Sequence, residues 1–295
     1  MAASATQLGA RAAGLLAASG AVLLARSSRR QLLRRYGFPA VRRGTTLPAS
    51  LRVASVDLMG PGGAMLRGIW LQGSAGGRRG AALVLHGWGG SALDMLPLAA
   101  LLQDCDLDVL LLDARGHGRS DDVAFTSMPR FAEDARAGLA WLRGQRDVDP
   151  RRLVLVGHSV GAGACLLAAR FEPDVVAVVC LSGMADPQAM MRRLLLNASV
   201  PRLLTIPMLR VVEHLIGQRF RTFAPLTTLP SLPMPVLLVH GECDTTVPVS
   251  EARQLAAAGA HVQLVVLPQV GHVEVSAVPL LGAVLRTFLT QPDRA

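Results

Sequence analysis

Six short runs of almost unbroken apolar character constrain this chain most: AALVLHG from 81, LDVLLLDARG from 107, RRLVLVGHS from 151, VVAVVCLSG from 175, PVLLVHGECD from 235 and VQLVVLPQVGH from 262. A strand tolerates apolar side chains on both sides only where both faces of its sheet are covered, so these runs specify buried, mostly parallel strands. Helical patterns near 92–103, 129–143, 161–171, 249–258 and 276–290 separate them, the alternation expected of a sheet with helices on both faces. Two further strand-like runs, LRVASVDL at 51–58 and AMLRGIWLQ at 64–72, flank MGPGG, whose proline and glycines predict a hairpin. The expectation is an α/β fold built on a mostly parallel eight-stranded sheet. Residues 184–232 break the rhythm: they are too long for a single crossover and rich in Met, Leu and Arg, which predicts a helical cap of two or three helices between strands 6 and 7. The chain divides into an apolar, Arg-rich segment at 1–50 and one domain at 51–295 that carries the cap.

With 295 residues and 51% hydrophobic content the chain can bury a large core, which excludes disorder as a description of the whole. Its net charge of +9 is concentrated at one end. Nine arginines precede the first acid, Asp57, leaving 21 arginines against 21 acids in the rest. Nucleic-acid binding is therefore not expected, because the body has neither a basic face nor an aromatic platform to support it. Four cysteines, Cys105, Cys165, Cys180 and Cys243, form no CxxC pair and no zinc spacing, so they read as reduced, buried core thiols, and no metal is expected.

Residues 8–25, LGARAAGLLAASGAVLLA, are apolar apart from Arg11 and run directly into RSSRRQLLRR. Membrane association through this segment is the leading expectation, with the basic flank placing the domain on the cytoplasmic side. The uninterrupted stretch Ala12–Ala25 is shorter than the roughly 20 residues of a comfortable span, so a signal peptide and a transit peptide stay open as alternatives.

GHSVG at 157–161 closes one predicted strand and opens a helix. That sharp turn lifts a serine hydroxyl clear of the sheet, and Gly157 and Gly161 are needed because a side chain there would collide with the tight backbone. A serine becomes nucleophilic only when a base takes its proton, and the base needs an acid to fix its tautomer. Asp244, after the strand PVLLVHGEC, and His272, within QVGHVE after the following strand, complete the order Ser, Asp, His. Glu242 and Asp186 remain as alternative acids. The other histidines, His86, His117, His158, His214, His240 and His261, sit in turns, at the elbow or on surface stretches, and none follows the final strand. Donors for a developing oxyanion are the backbone N–H groups of Trp88, in HGWGGS, and of Val160; the Trp88 indole can cover the core as well, since the role falls to the backbone.

Taken in order, HGWGGS, DARGHGRS, GHSVG, HGECDTTVP and GHVE resemble an α/β-hydrolase-fold protein of the serine hydrolase type over about residues 50–290. The resemblance implies a Ser/His/Asp mechanism through an acyl-enzyme on Ser159, with no cofactor. It also implies that DARGHGRS is a structural turn, so Asp113 and His117 take no catalytic part. It does not choose among esterases, thioesterases, exopeptidases and acyltransferases, all of which this fold hosts. A small-molecule or lipid-like acyl substrate is suggested by Met190, Met191, Leu194, Leu195, Leu196, Leu203, Leu204, Ile206 and Met208, unless these form the cap's own core. Cleavage of a carboxylic ester or acyl lipid is the leading expectation. A catalytically inactive, membrane-tethered binding module is the alternative of a different class.

Overall fold

The computed structural model describes residues 53–73, 77–272 and 280–290. The segment at 1–50 and residues 276–279 of the last expected helix lie outside the described residues.

Eight strands form one sheet: β1 (Ala54–Met59), β2 (Met65–Leu71), β3 (Arg79–Leu85), β4 (Leu107–Asp113), β5 (Val148–His158), β6 (Val175–Leu181), β7 (Val236–Gly241) and β8 (Val262–Leu267), in the order β1-β2-β4-β3-β5-β6-β7-β8. The first two pair antiparallel, β2 pairs antiparallel with β4, and every later neighbour is parallel. The hairpin turns through Pro61–Gly63, where Gly62 and Gly63 adopt φ of 70° and 79°, values glycine reaches without strain.

Successive strand side chains serve two cores, as a sheet covered on both faces requires. Leu83, Leu85, Leu110 and Leu112 face α2 (Met128–Arg143) and α3 (Val160–Ala169), packing with Phe131, Leu139 and Leu166. Val84, Val109 and Leu111 face the other side, where α1 (Leu96–Gln103) supplies Leu98 and Leu102, and α9 (Leu280–Leu289) supplies Leu285 and Phe288. All of β3 and β4 is buried, which accounts for their unbroken apolar runs.

Between β6 and β7 the chain forms α4 (Pro187–Asn197), α5 (Arg202–Ile216) and two single turns, α6 (Phe220–Phe223) and α7 (Pro225–Thr228); α8 (Val249–Ala256) follows β7. Asp186 caps α4 by accepting from the Gln188 N–H at 2.8 Å. Glu251, buried on α8, fastens this insertion to the sheet domain: it accepts the Ala185 N–H at 2.8 Å and the Arg193 guanidinium. Three cysteines are buried as expected, but Cys243 is exposed, because its strand ends at Gly241 and the turn carries the side chain outward. No helix among the described residues is long and apolar enough to cross a membrane.

Removing the Glu251 carboxylate leaves a buried N–H and a guanidinium without their acceptor. Glu251→Ala is expected to lower stability by about 2 kcal/mol, measured as a shift in the urea unfolding midpoint.

Candidate active site

Ser159 stands at the junction of β5 and α3 with φ 54° and ψ −118°, a region that non-glycine residues rarely occupy. Its N–H donates to Leu181 O at 2.9 Å, and its carbonyl accepts from the Ala162 N–H at 3.1 Å. The two flanking glycines are required by close approach: a Cβ at Gly157 would strike the Gly161 carbonyl, and one at Gly161 would lie 2.5 Å from His86 O. The collision expected from the sequence is thus between backbones, which cannot give way as a side chain can.

Asp244 follows β7 and is buried. Its Oδ1 accepts the N–H groups of Thr246 and Val247 at 2.9 and 2.8 Å, and its Oδ2 lies 2.6 Å from His272 Nδ1. A carboxylate is an acceptor only, so His272 donates from Nδ1, which leaves Nε2 with its lone pair. Of the two alternative acids, Glu242 is exposed and Asp186 is the cap of α4. Ser159, Trp88, Val160 and His272 line one cavity of about 830 Å3. Val160 supplies the first N–H of α3, and Trp88 stands in the loop after β3.

Sequence reasoning missed two histidines that hold this arrangement. His158 donates from Nε2 to the His272 carbonyl at 2.8 Å, and the two rings lie 4.9 Å apart. His240 donates from Nε2 to Val247 O at 2.8 Å with the same nitrogen 3.2 Å from Asp244 Oδ2, so it braces the acid's loop. A sequence separation of 114 between His158 and His272 leaves no local pattern from which their contact is legible.

The Trp88 indole covers buried Phe131 and His117 while keeping one side at the cavity wall. It is 41% exposed and stacks on Phe131 at 6.2 Å, because Gly89 turns the chain with φ 73° and directs the ring to the cavity wall. Beneath it lie two buried histidines. His86 donates from Nδ1 to Gly87 O at 2.7 Å and accepts the Ala114 N–H on Nε2 at 3.1 Å, a pattern only the neutral ring can make. Burial pushes His86 down to about 4 and His117 down to about 3. Asp113 accepts the N–H groups of Ala92 and Arg119 at 2.6 and 3.0 Å, so DARGHGRS is a turn that ties two loops together.

Of the nine apolar cap residues singled out from the sequence, Met190, Met191 and Leu194 line the cavity and Leu195 is buried. Leu203, Leu204 and Ile206 instead face solvent, because the buried positions of α5 are Thr205 and Leu209. Val212, Leu215, Ile216, Phe220 and Phe223 complete the cap side of the cavity. No group of acids, cysteines and histidines with the arrangement of a metal site occurs among the described residues.

Residues 82–281 match the family model described as the alpha/beta hydrolase family. The uncharacterized protein Rv2307c of Mycobacterium tuberculosis is 30% identical over 291 residues, covering 94% of this chain and 92% of that one. Among solved structures, the Pyrococcus furiosus esterase Pf2001 superposes with a TM-score of 0.65 at 21% identity, covering 85% of this chain and 98% of its own. The esterase domain of a Rhodothermus marinus protein does so with 0.58 at 25% identity, covering 81% and 98%.

Gly161→Ala is expected to cost about 3 kcal/mol by chemical denaturation, since backbone must shift to admit the methyl group. The buried histidines predict an acid limb of stability. Each stays neutral in the folded protein while the unfolded chain binds its proton below the ordinary imidazole value of 6.5, so stability is complete above that pH and is lost as pH falls. His117→Phe removes one such group and should reduce the slope of unfolding free energy by about 1.4 kcal/mol per pH unit, measured from about pH 6 to 4.5.

Proposed function

Because this chain belongs to the alpha/beta hydrolase family, we propose that it is a serine hydrolase that cleaves an ester-like bond, a carboxylic ester or an acyl lipid, through an acyl-enzyme on Ser159. The observation that carries the reading is the Asp244–His272 bond of 2.6 Å, with His272 and Ser159 on one cavity. In this mechanism His272 Nε2 takes the Ser159 hydroxyl proton as the oxygen attacks the carbonyl carbon. The new oxyanion is held by the N–H groups of Trp88 and Val160. Asp244 stabilises the imidazolium, which then protonates the leaving alcohol. Water, deprotonated by the same histidine, attacks the acyl-enzyme and releases the acid, returning the proton to Ser159.

The walls of the cavity favour an apolar acyl group. Met190, Met191, Leu194, Leu215 and Phe223 cover it from the cap, and flexible methionines accommodate chains of different shape. The insertion acts in this reading as a lid, closing water out of the site. The two superposed proteins are an esterase and an esterase domain, which supports an ester substrate. Residues 8–25, apolar and followed by arginines, support membrane association with the domain on the cytoplasmic side.

A fluorophosphonate that adds one phosphonyl group to an activated serine tests the reading by intact mass. The wild-type protein should take one adduct and Ser159→Ala none, and hydrolysis of p-nitrophenyl esters should fall by about 10⁵-fold or more in the variant. A folded wild-type protein that takes no adduct would make the elbow a turn and the cavity a binding site.

A further inference from the structure

The cap is apolar on the side that faces away from the protein as well as on the side that faces the cavity. Nine large apolar side chains are exposed among the described residues, and five of them, Leu194, Leu203, Leu204, Ile206 and Val211, lie on α4 and α5. Leu203 is 85% exposed and Ile206 67%. At 3.6 residues per turn, positions 203, 206, 207, 210, 211 and 214 share the outer face of α5, opposite the buried Thr205 and Leu209. An ordinary surface helix carries charges there. Here the outer face holds Leu, Ile, Pro and Val, with Arg210 and His214 between them.

The charges around this patch have one dominant sign. Between residues 186 and 221 there are six arginines, Arg192, Arg193, Arg202, Arg210, Arg219 and Arg221, against two acids, Asp186 and Glu213. Arg193 is held by Glu251, and Arg210 pairs with Glu213 at 2.8 Å, while Arg192, Arg202, Arg219 and Arg221 are exposed. An apolar stripe rimmed by arginine is the composition of a helix that lies in the headgroup layer of an anionic bilayer. A second copy of this chain fits it poorly, because a two-fold contact sets the same basic face against itself. The exposed apolar set of the cap also reaches the cavity: Leu194, on α4, is exposed and lines the cavity wall.

We propose that the outer face of α4 and α5 docks on an anionic lipid surface, with Leu203, Leu204, Ile206 and Val211 inserted among the acyl chains and Arg192 and Arg202 against the headgroups. Docking brings the cavity mouth beside Leu194 to the membrane and lets an acyl lipid pass into the cavity without crossing water. The docking itself does not rest on the esterase reading, and its test needs no turnover.

The test uses the full chain with Cys243→Ser, which removes the exposed thiol, and an environment-sensitive nitrobenzoxadiazole label on Leu203→Cys. A second protein carries the label on Asp147→Cys, in the exposed loop that enters β5. On vesicles of equal parts phosphatidylcholine and phosphatidylglycerol, the label at 203 should brighten and shift to the blue while the label at 147 does not. Vesicles of phosphatidylcholine alone should give a much weaker response. Leu204→Asp with Ile206→Asp should weaken the response by about tenfold per residue. Arg192→Glu with Arg202→Glu should weaken it by about fivefold per arginine, and added salt should do the same.

A label at 203 that stays in water while the protein sediments with the vesicles would overturn the proposal and assign binding to residues 8–25. A blue-shifted label before lipid is added would also overturn it. Dependence of that shift on protein concentration would identify a second copy as the occupant, and independence would identify the chain's own residues 1–52. None of these outcomes alters the fluorophosphonate result at Ser159, so failure of docking and failure of the hydrolase reading are told apart.

Discussion

The backbone at Ser159 depends on contacts from three strands, and much of the site depends on that backbone. A serine at φ 54° and ψ −118° is strained by about 1–3 kcal/mol and persists only where its surroundings leave no alternative. Those surroundings are the ends of β3, β5 and β6. Leu181, the last residue of β6, accepts the Ser159 N–H, and the carbonyls of Leu85 and His86 at the end of β3 leave no room for a side chain at Gly161. Gly157, at the end of β5, has no room for one against the Gly161 carbonyl. The strain is therefore held by the sheet, and the sheet is held by the apolar runs that fill both of its cores.

A second set of contacts fixes the loops around the elbow through histidines. His86 joins Gly87 to Ala114 and so ties the loop bearing Trp88 to the turn after β4. His158 reaches from the elbow to the carbonyl of His272, and His240 reaches from β7 to the loop of Asp244. Imidazole suits the His86 position because one ring offers a donor and an acceptor at fixed separation without carrying charge. Protonation would place a cation in an apolar region, and burial opposes that strongly enough to lower His86, His117 and His158 below their ordinary value. The arrangement therefore holds firmly near neutral pH and carries a built-in sensitivity to acid.

What the sequence disclosed follows from how local each signal is. Strands buried on both faces write themselves as apolar runs, and residues directly after such runs inherit a place at the carboxyl edge of the sheet, which is why Ser159, Asp244 and His272 could be expected along one edge. Side-chain direction within loops and insertions is not local. Cys243 was read as a buried core thiol, and it is turned outward by the chain around it. The contact between His158 and His272 has no sequence pattern at all, since it exists only once β5 and the loop after β8 are neighbours at the edge of the sheet.

The cap shows the same limit most clearly. Periodicity identifies the buried face of a helix when the other face is polar, and α5 has leucine, isoleucine or valine on both. Leu203 and Leu215 look alike in the sequence, yet one is open to solvent and the other lines the cavity. A helix of this kind is costly in water unless something apolar meets its second face. Its inner face is satisfied by the domain it covers. The arginines that border its outer face narrow what can satisfy that one, because an apolar partner that also neutralises positive charge has the two components of an anionic lipid surface. The same two-sided character that made the cap ambiguous in the sequence thus links the chemistry proposed inside the cavity to the surface from which a lipophilic substrate would arrive.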